Sequence, residues 1–303
     1  MPDASANYRG IRCLLVATTC LAINDACNKY VVASLPASEI VTLRAIISGA
    51  IVFAVIAARG ELSTLRALRR PEIMLRSLAE SWIGPLLIIA LAFMHQADVT
   101  AVYMVAPVFV ALVGFGHFKE RFNLVLLGAC LVALGGAWLF VNPGSGVFQL
   151  VALLPIAASL LQTLRELISR TMGKRVGNDA PVSHRVVLSS TSLFSLLSGA
   201  VLATFFPWAT PVEAWQWPGP TEWILLALAS ALFYLGVSYT YEAYRGSDLS
   251  VVAPFRYWYL LVAIFTGLFV FGEIPSGRSI LGMVIIVSAG AIVLWSQRVP
   301  KKR

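Results

Sequence analysis

Apolar residues in this chain gather into runs of about twenty, each ended by a short polar or glycine–proline break. A helix rises 1.5 Å per residue, so about 20 such residues cross the ~30 Å hydrocarbon core of a bilayer. Ten runs are legible, at residues 11–32, 38–58, 77–95, 100–118, 123–141, 148–168, 186–206, 221–243, 249–271 and 279–296. Between them stand Leu35-Pro36, Arg59-Gly60, Asn142-Pro143-Gly144, Trp217-Pro218-Gly219-Pro220 and Ile274-Pro275-Ser276-Gly277. The pattern predicts an all-α integral membrane protein with ten transmembrane helices. The first run lacks a small-residue cleavage site and reads as a retained span.

Basic residues orient these spans. With the amino terminus in the cytoplasm, 18 of the 23 Lys and Arg residues fall in inner segments and Arg278 alone falls outside. The other four, Lys29, Arg44, Arg165 and Arg256, lie within spans or at their ends. Such asymmetry follows the positive-inside rule and places the amino and carboxyl termini in the cytoplasm. Trp208, Trp215, Trp217 and Trp223 cluster about one outer loop, where they would anchor the interface.

Composition narrows the classes. Hydrophobic residues make up 58% of the 303 positions and charged ones 13%, against about a quarter charged in soluble domains. Mean hydropathy is +0.80. The net charge of +8 resides in short loops between apolar runs, so no nucleic-acid partner is expected. The four cysteines lie inside apolar runs as packing residues. His95, His117 and His184 sit at span ends without metal-triad spacing, so neither metal nor cofactor is expected. No GxxxxGK[ST], HExxH, GxSxG or paired-Cys motif occurs, which argues against an ATP-driven pump and against an enzyme.

The two halves match in order. Asp25-x3-Lys29 corresponds to Glu166-x3-Arg170, with Arg44 and Arg185 fifteen residues on. Glu120 and Glu273 each follow a span and precede the glycine of the next, Gly128 and Gly282. Five spans is an odd number, so the second copy would be inverted. Inverted repeats place a pseudo-two-fold axis in the membrane plane and commonly hold a midplane site about which the halves rock. The expected organisation is a first repeat over residues 1–141, an outer connector over 142–147, a second repeat over 148–296 and a basic tail over 297–303.

The run from Ala106-Pro107-Val108-Phe109 through Lys119-Glu120-Arg121 to Gly128 resembles the drug/metabolite transporter (DMT) superfamily, as does Val252-Ala253-Pro254-Phe255-Arg256-Tyr257 through Gly272-Glu273 to Gly282. The whole chain looks like its ten-span EamA-domain branch, for which Lys29 and Arg44 are also typical. That resemblance implies two inverted five-helix repeats around a central cavity in a bacterial inner (plasma) membrane. The acid after the fourth and ninth spans is there a structural signature.

Charges inside spans cost roughly 2.5–3.5 kcal/mol each and mark function by default. Arg256, two residues after Pro254 and flanked by Tyr257, Trp258 and Tyr259, suits an anionic group on a flat or apolar body. The bland alternative is an Arg neutralised by a buried acid. Asp25, beside Asn24 and Asn28, is either an i,i+4 partner of Lys29 or a proton-coupling or substrate-amine carboxylate in the cavity. Glu80 is a second coupling candidate or a partner of Arg76. Arg44 either lines the cavity or pairs with Asp25. Arg165 and Glu166 read as interface or helix-pair charges, with Gln162 the deeper cavity candidate. Tyr103, Trp82 and Tyr239 complete the candidate substrate contacts, while Tyr241 and Trp138 are further span aromatics.

The leading expectation is a secondary carrier, monomeric or homodimeric, moving a small organic metabolite with an anionic group by alternating access. An amino acid or a nucleoside-like or vitamin-like compound would fit, with a proton or counter-substrate as coupling partner. The alternative within the superfamily is a broad exporter of drugs or lipophilic cations, for which the basic interior is poorly suited. A membrane-embedded enzyme or receptor is the remaining class.

Overall fold

The computed structural model describes residues 4–106, 148–174, 184–244 and 253–298, together with 109, 128, 131–132 and 135–136. Among the described residues every regular element is helical. These are α1 (Ala4–Val31), α2 (Ala37–Ala58), a 3-10 segment (Leu62–Arg69), α3 (Pro71–Phe93), α4 (Gln96–Tyr103), a single turn α5 (Phe148–Val151), α6 (Leu153–Lys174), α7 (His184–Phe205) and α8 (Pro220–Tyr244). A 3-10 segment (Ala253–Tyr257) then leads into α9 (Trp258–Phe271), followed by α10 (Gly277–Arg298).

Five of these helices are long and apolar enough to cross a membrane, and shorter apolar helices cover Phe255–Phe271 and Gly277–Ala289. Their outward faces are greasy. Phe265 and Phe269 of α9 are 61% and 69% exposed, and Ile224 of α8 is 67% exposed. Water would penalise such surfaces, and lipid tails do not. The protein is therefore a multi-pass membrane protein.

Helix ends follow local chemistry. Pro71 opens α3 at a position where its missing N–H costs no helical bond. The helix thus begins six residues before the apolar run, taking in Arg76. Likewise α4 starts at Gln96 rather than at Thr100, because Gln96 and Asp98 find partners inside the protein. Gly272 ends α9 with φ 66°, a left-handed turn that a side chain would strain. The proline at 254 coincides with the tighter 3-10 turn before α9, the local unwinding its position predicts.

Helix α1 packs chiefly on α8 and also on α9, while α2 packs on α7, and α3 packs on α6 and α7. Close approach depends on small residues. A Cβ added to Gly236 of α8 would stand 2.8 Å from the Leu21 side chain of α1. The predicted second part of the fourth span, the fifth span, Glu120, His117, Trp138 and the 142–147 connector lie outside the described residues, apart from the isolated positions above.

Candidate functional site

Between α1, α2, α3, α6, α7, α8 and the start of α9 lies a cavity of about 1090 Å³. Two polar networks face it. On one wall Asp25 accepts hydrogen bonds from the Tyr259 hydroxyl and from Asn24 Nδ2, the latter at 2.9 Å. Arg44 Nη2 donates to Asn24 Oδ1 at 2.6 Å, with its guanidinium over the Phe233 ring at 5.9 Å. The sequence offered Asp25 a local partner in Lys29 and a distant one in Arg44. Neither forms a direct ion pair with it among the described residues, since Lys29 turns to another helix and Arg44 reaches Asn24.

The facing wall is a chain of donors and acceptors. The Tyr103 hydroxyl donates to Gln162 Oε1 at 2.7 Å, and Gln162 Nε2 donates to Glu166 Oε1 at 2.7 Å. Glu166 also pairs with Arg256 Nη1 at 2.9 Å. Arg165 Nη1 contacts both Glu80 oxygens at 2.6 and 2.7 Å, and Arg76 lies 3.5 Å from Glu80. Arg165 and Glu166, expected as interface or helix-pair charges, join α6 to Glu80 of α3 and to Arg256 before α9, and Arg165 also lines the cavity. They lie three and two residues before the end of the predicted run at Ile168, and α6 continues to Lys174.

Of the predicted site residues, Asn24, Asp25, Arg44, Glu80, Tyr103, Gln162, Arg256 and Tyr259 border this cavity. Trp82, Tyr239, Tyr257 and Trp258 are absent from its lining. Trp82 packs into the apolar cluster around Ile40 and Ile88. Tyr239 is 39% exposed on α8, and Trp258 turns outward to donate to Thr19 Oγ1 at 3.0 Å. Consecutive residues of a helix point about 100° apart, so 257, 258 and 259 cannot all face one hollow. Asn28, also in the lining, escaped the candidate set. Its spacing of four from Asn24 and three from Asp25, on an apolar helix, was the available signal.

One end of the bundle is latched. Lys29 Nζ pairs with Glu273 Oε1 at 2.7 Å and donates to the carbonyls of Met94 and Leu91. Glu273 Oε2 accepts the Gln96 N–H at 3.0 Å, and Gln96 in turn bridges Ala22 of α1 and Thr266 of α9. A second clasp joins the α7–α8 connection to the start of α2, with Trp215 donating to Ser38 and the Gln216 N–H to Glu39. The cavity lining includes none of these latch residues. It runs the other way, to Arg70, Glu72, His184 and Tyr241.

A hollow with two polar networks on otherwise apolar walls fits transport more than chemistry. The EamA-like transporter family model matches residues 8–142. A riboflavin transporter of Vibrio cholerae is 31% identical over 65% of this chain, a match that spans 62% of the relative. An S-adenosylmethionine uptake transporter of Rickettsia prowazekii is 21% identical over 98% of this chain and 97% of its own length. The chain is thus similar to EamA-type transporters, through the family model over residues 8–142 and through the uptake transporter over nearly its whole length. These relatives are transporters rather than enzymes. A pseudopaline exporter of Pseudomonas aeruginosa is 23% identical over 92% of this chain and 94% of its own. A solved crystal structure shares the fold at a TM-score of 0.62 and 19% identity, covering 97% of this chain and 99% of that one.

Proposed function

We propose that this protein is a secondary carrier that moves a small organic metabolite across the inner membrane by alternating access. The observation that carries the reading is the cavity itself, polar on two walls, latched at the Lys29–Glu273 end and lined out to the Arg70–His184 end. Its volume of about 1090 Å³ suits a metabolite rather than a bare ion, small-molecule pockets being typically ~300–1,000 Å³. On the orientation from the positive-inside rule, the latched end is periplasmic and the hollow faces the cytoplasm.

Ten spans in two inverted repeats are part of the same reading. The packing supports it. Exchanging the halves would turn the α1–α8 contact into the α6–α3 contact, the α1–α9 contact into the α6–α4 contact, and leave α2–α7 unchanged. All of these contacts exist.

The cargo in this reading carries an anionic group, because the lining includes Arg44, Arg76, Arg165 and Arg256 against Asp25 and Glu80. Asp25, without an ion pair among the described residues, serves as the coupling carboxylate. That same acid is the feature a lipophilic-cation exporter would use. Protection of cells against ethidium that disappears in Asp25→Asn would favour the exporter. The metabolite reading is tested by counterflow in proteoliposomes, with riboflavin and S-adenosylmethionine as first solutes. Accumulation that Asp25→Asn and Tyr259→Phe reduce supports it, and binding without counterflow sinks it.

A further inference from the structure

Buried polar atoms in this protein divide into those with partners and those without. Among the described residues, Asn28 Oδ1, Arg44 Nε, Asp98 Oδ1, Arg165 Nε and Tyr257 OH are buried and have no hydrogen-bond partner. Native proteins rarely keep such atoms without a use for them. Asn28 and Arg44 line the cavity in the same corner as Asp25. Asn28 is 3% exposed and lies one turn beyond Asn24 and Asp25 on α1. Arg44 is held against that turn through Asn24.

The corner presents three complementary needs. Arg44 Nε is a donor without an acceptor, and Asn28 Oδ1 is an acceptor without a donor. Asp25 is an acid without a base. Its oxygens accept from Tyr259 and Asn24, yet an ionised carboxyl offers about four lone-pair sites. Elsewhere the acids are spoken for: Glu80 by Arg165, Glu166 by Arg256 and Glu273 by Lys29.

We infer that this corner holds the α-amino-acid head group of the cargo, its ammonium between Asp25 and Asn28 and its carboxylate on Arg44. The inference deepens the carrier reading above and rests on it. Other groups leave a residue of the corner unserved. A lone carboxylate would meet Arg44 but be repelled by Asp25. A lone amine would meet Asp25 but leave the Arg44 nitrogen bare. An imide edge would serve Asn28 and Arg44 and leave the Asp25 charge uncompensated. The anion anchor is thereby moved from Arg256, whose guanidinium already meets Glu166, to Arg44 on the opposite wall.

The test uses purified full-length protein and its thermal stability. Probes are the twenty standard L-amino acids, S-adenosylmethionine and riboflavin, with phenethylamine and 3-phenylpropionate as examples of probes lacking one head-group end. At least one α-amino acid is expected to raise the melting temperature, while its amine and acid counterparts at equal concentration do not. Arg44→Lys and Asn28→Ala should each weaken that ligand by about tenfold or more, the loss of one hydrogen bond to a charged group. The comparison of matched probes on the unmodified protein stands even if a variant misfolds. Equal binding of a one-ended probe overturns the inference, as does stabilisation by riboflavin with none by any α-amino acid, or no response at all. The carrier reading fails separately: an α-amino acid that binds without counterflow leaves the head-group site standing and removes the carrier, whereas counterflow of riboflavin alone does the reverse.

Discussion

At the scale of single residues, Asp25 and Tyr259 concentrate the chemistry. The Tyr259 hydroxyl donates to Asp25 on one wall of the cavity, joining α9 to α1. Tyr259→Phe removes that donor with little change of shape. It is expected to lower transport at least tenfold while costing about 1.5–3 kcal/mol of stability, the ordinary worth of one hydrogen bond to a charged group. Transport assays and melting curves on the same preparation check both figures. Asp25→Asn keeps the hydrogen-bonding shape but fixes the charge at zero. If a proton on Asp25 couples the cycle, uphill transport driven by a pH gradient should fall much further in this variant than counterflow does, measured in proteoliposomes with and without the gradient. Much of this was legible beforehand, because an acid in an apolar helix has few harmless explanations. Its partner was not. Spacing proposes Lys29 one turn away, but which side chains meet is decided by which helices pack, and α9 brings Tyr259 to Asp25 while taking Lys29 to Glu273.

At the scale of elements, the latch is the feature a linear reading could not assemble. Lys29, Gln96, Thr266 and Glu273 come from α1, α4 and α9, and from the turn after it. The acid following α9 was recognisable by resemblance, and its role as an end-clasp only from the fold. The side chains of Lys29 and Glu273 are 13% and 11% exposed, so removing one strands the other. Glu273→Gln should cost about 3–5 kcal/mol, the usual toll for an orphaned buried charge. The double variant Lys29→Met with Glu273→Gln should recover part of it, read as a non-zero coupling in a double-mutant cycle of melting temperatures. Helix packing gives a second expectation. Gly236→Val would drive a side chain into Leu21 of α1, for a loss of about 1–3 kcal/mol. The same change at Gly84, where nothing stands within 4 Å of an added Cβ, should be far milder. In α6 the apolar run ends before the helix does, so the paired charges near the end of the run still have about two turns of helix beyond them.

For the whole molecule, the alternation of basic loops carries the topology. Apolar runs foretold the helices because a bilayer admits little else than a satisfied helical backbone. Their assembly around a hollow came from packing that no run displays. If both termini are cytoplasmic, as the positive-inside rule predicts, a cysteine introduced at Gly219 should react with an impermeant maleimide added to intact cells. One at Thr64, in the 3-10 segment of the opposite face, should not. The reverse pattern would invert the cavity's direction, and equal labelling would break the span count. Disrupting the Lys29–Glu273 clasp should also shift the ensemble towards a hollow opened at the other end, seen as new maleimide access to a cysteine placed at Ala22.

One detail of α1 bears on how such a machine keeps time. Asp25 and Lys29 are four residues apart, about 6 Å along the axis of a single rigid rod. Tyr259 and Glu273 likewise bracket one rod, α9, and its terminal turn. A pull on Asp25 therefore reaches the lock with no relay in between, as a crank and its bolt forged on one shaft. If a gradient on Asp25 drives the cycle, leakiness and turnover are mechanically inseparable, and a variant with a looser bolt should cycle faster while wasting more of that gradient.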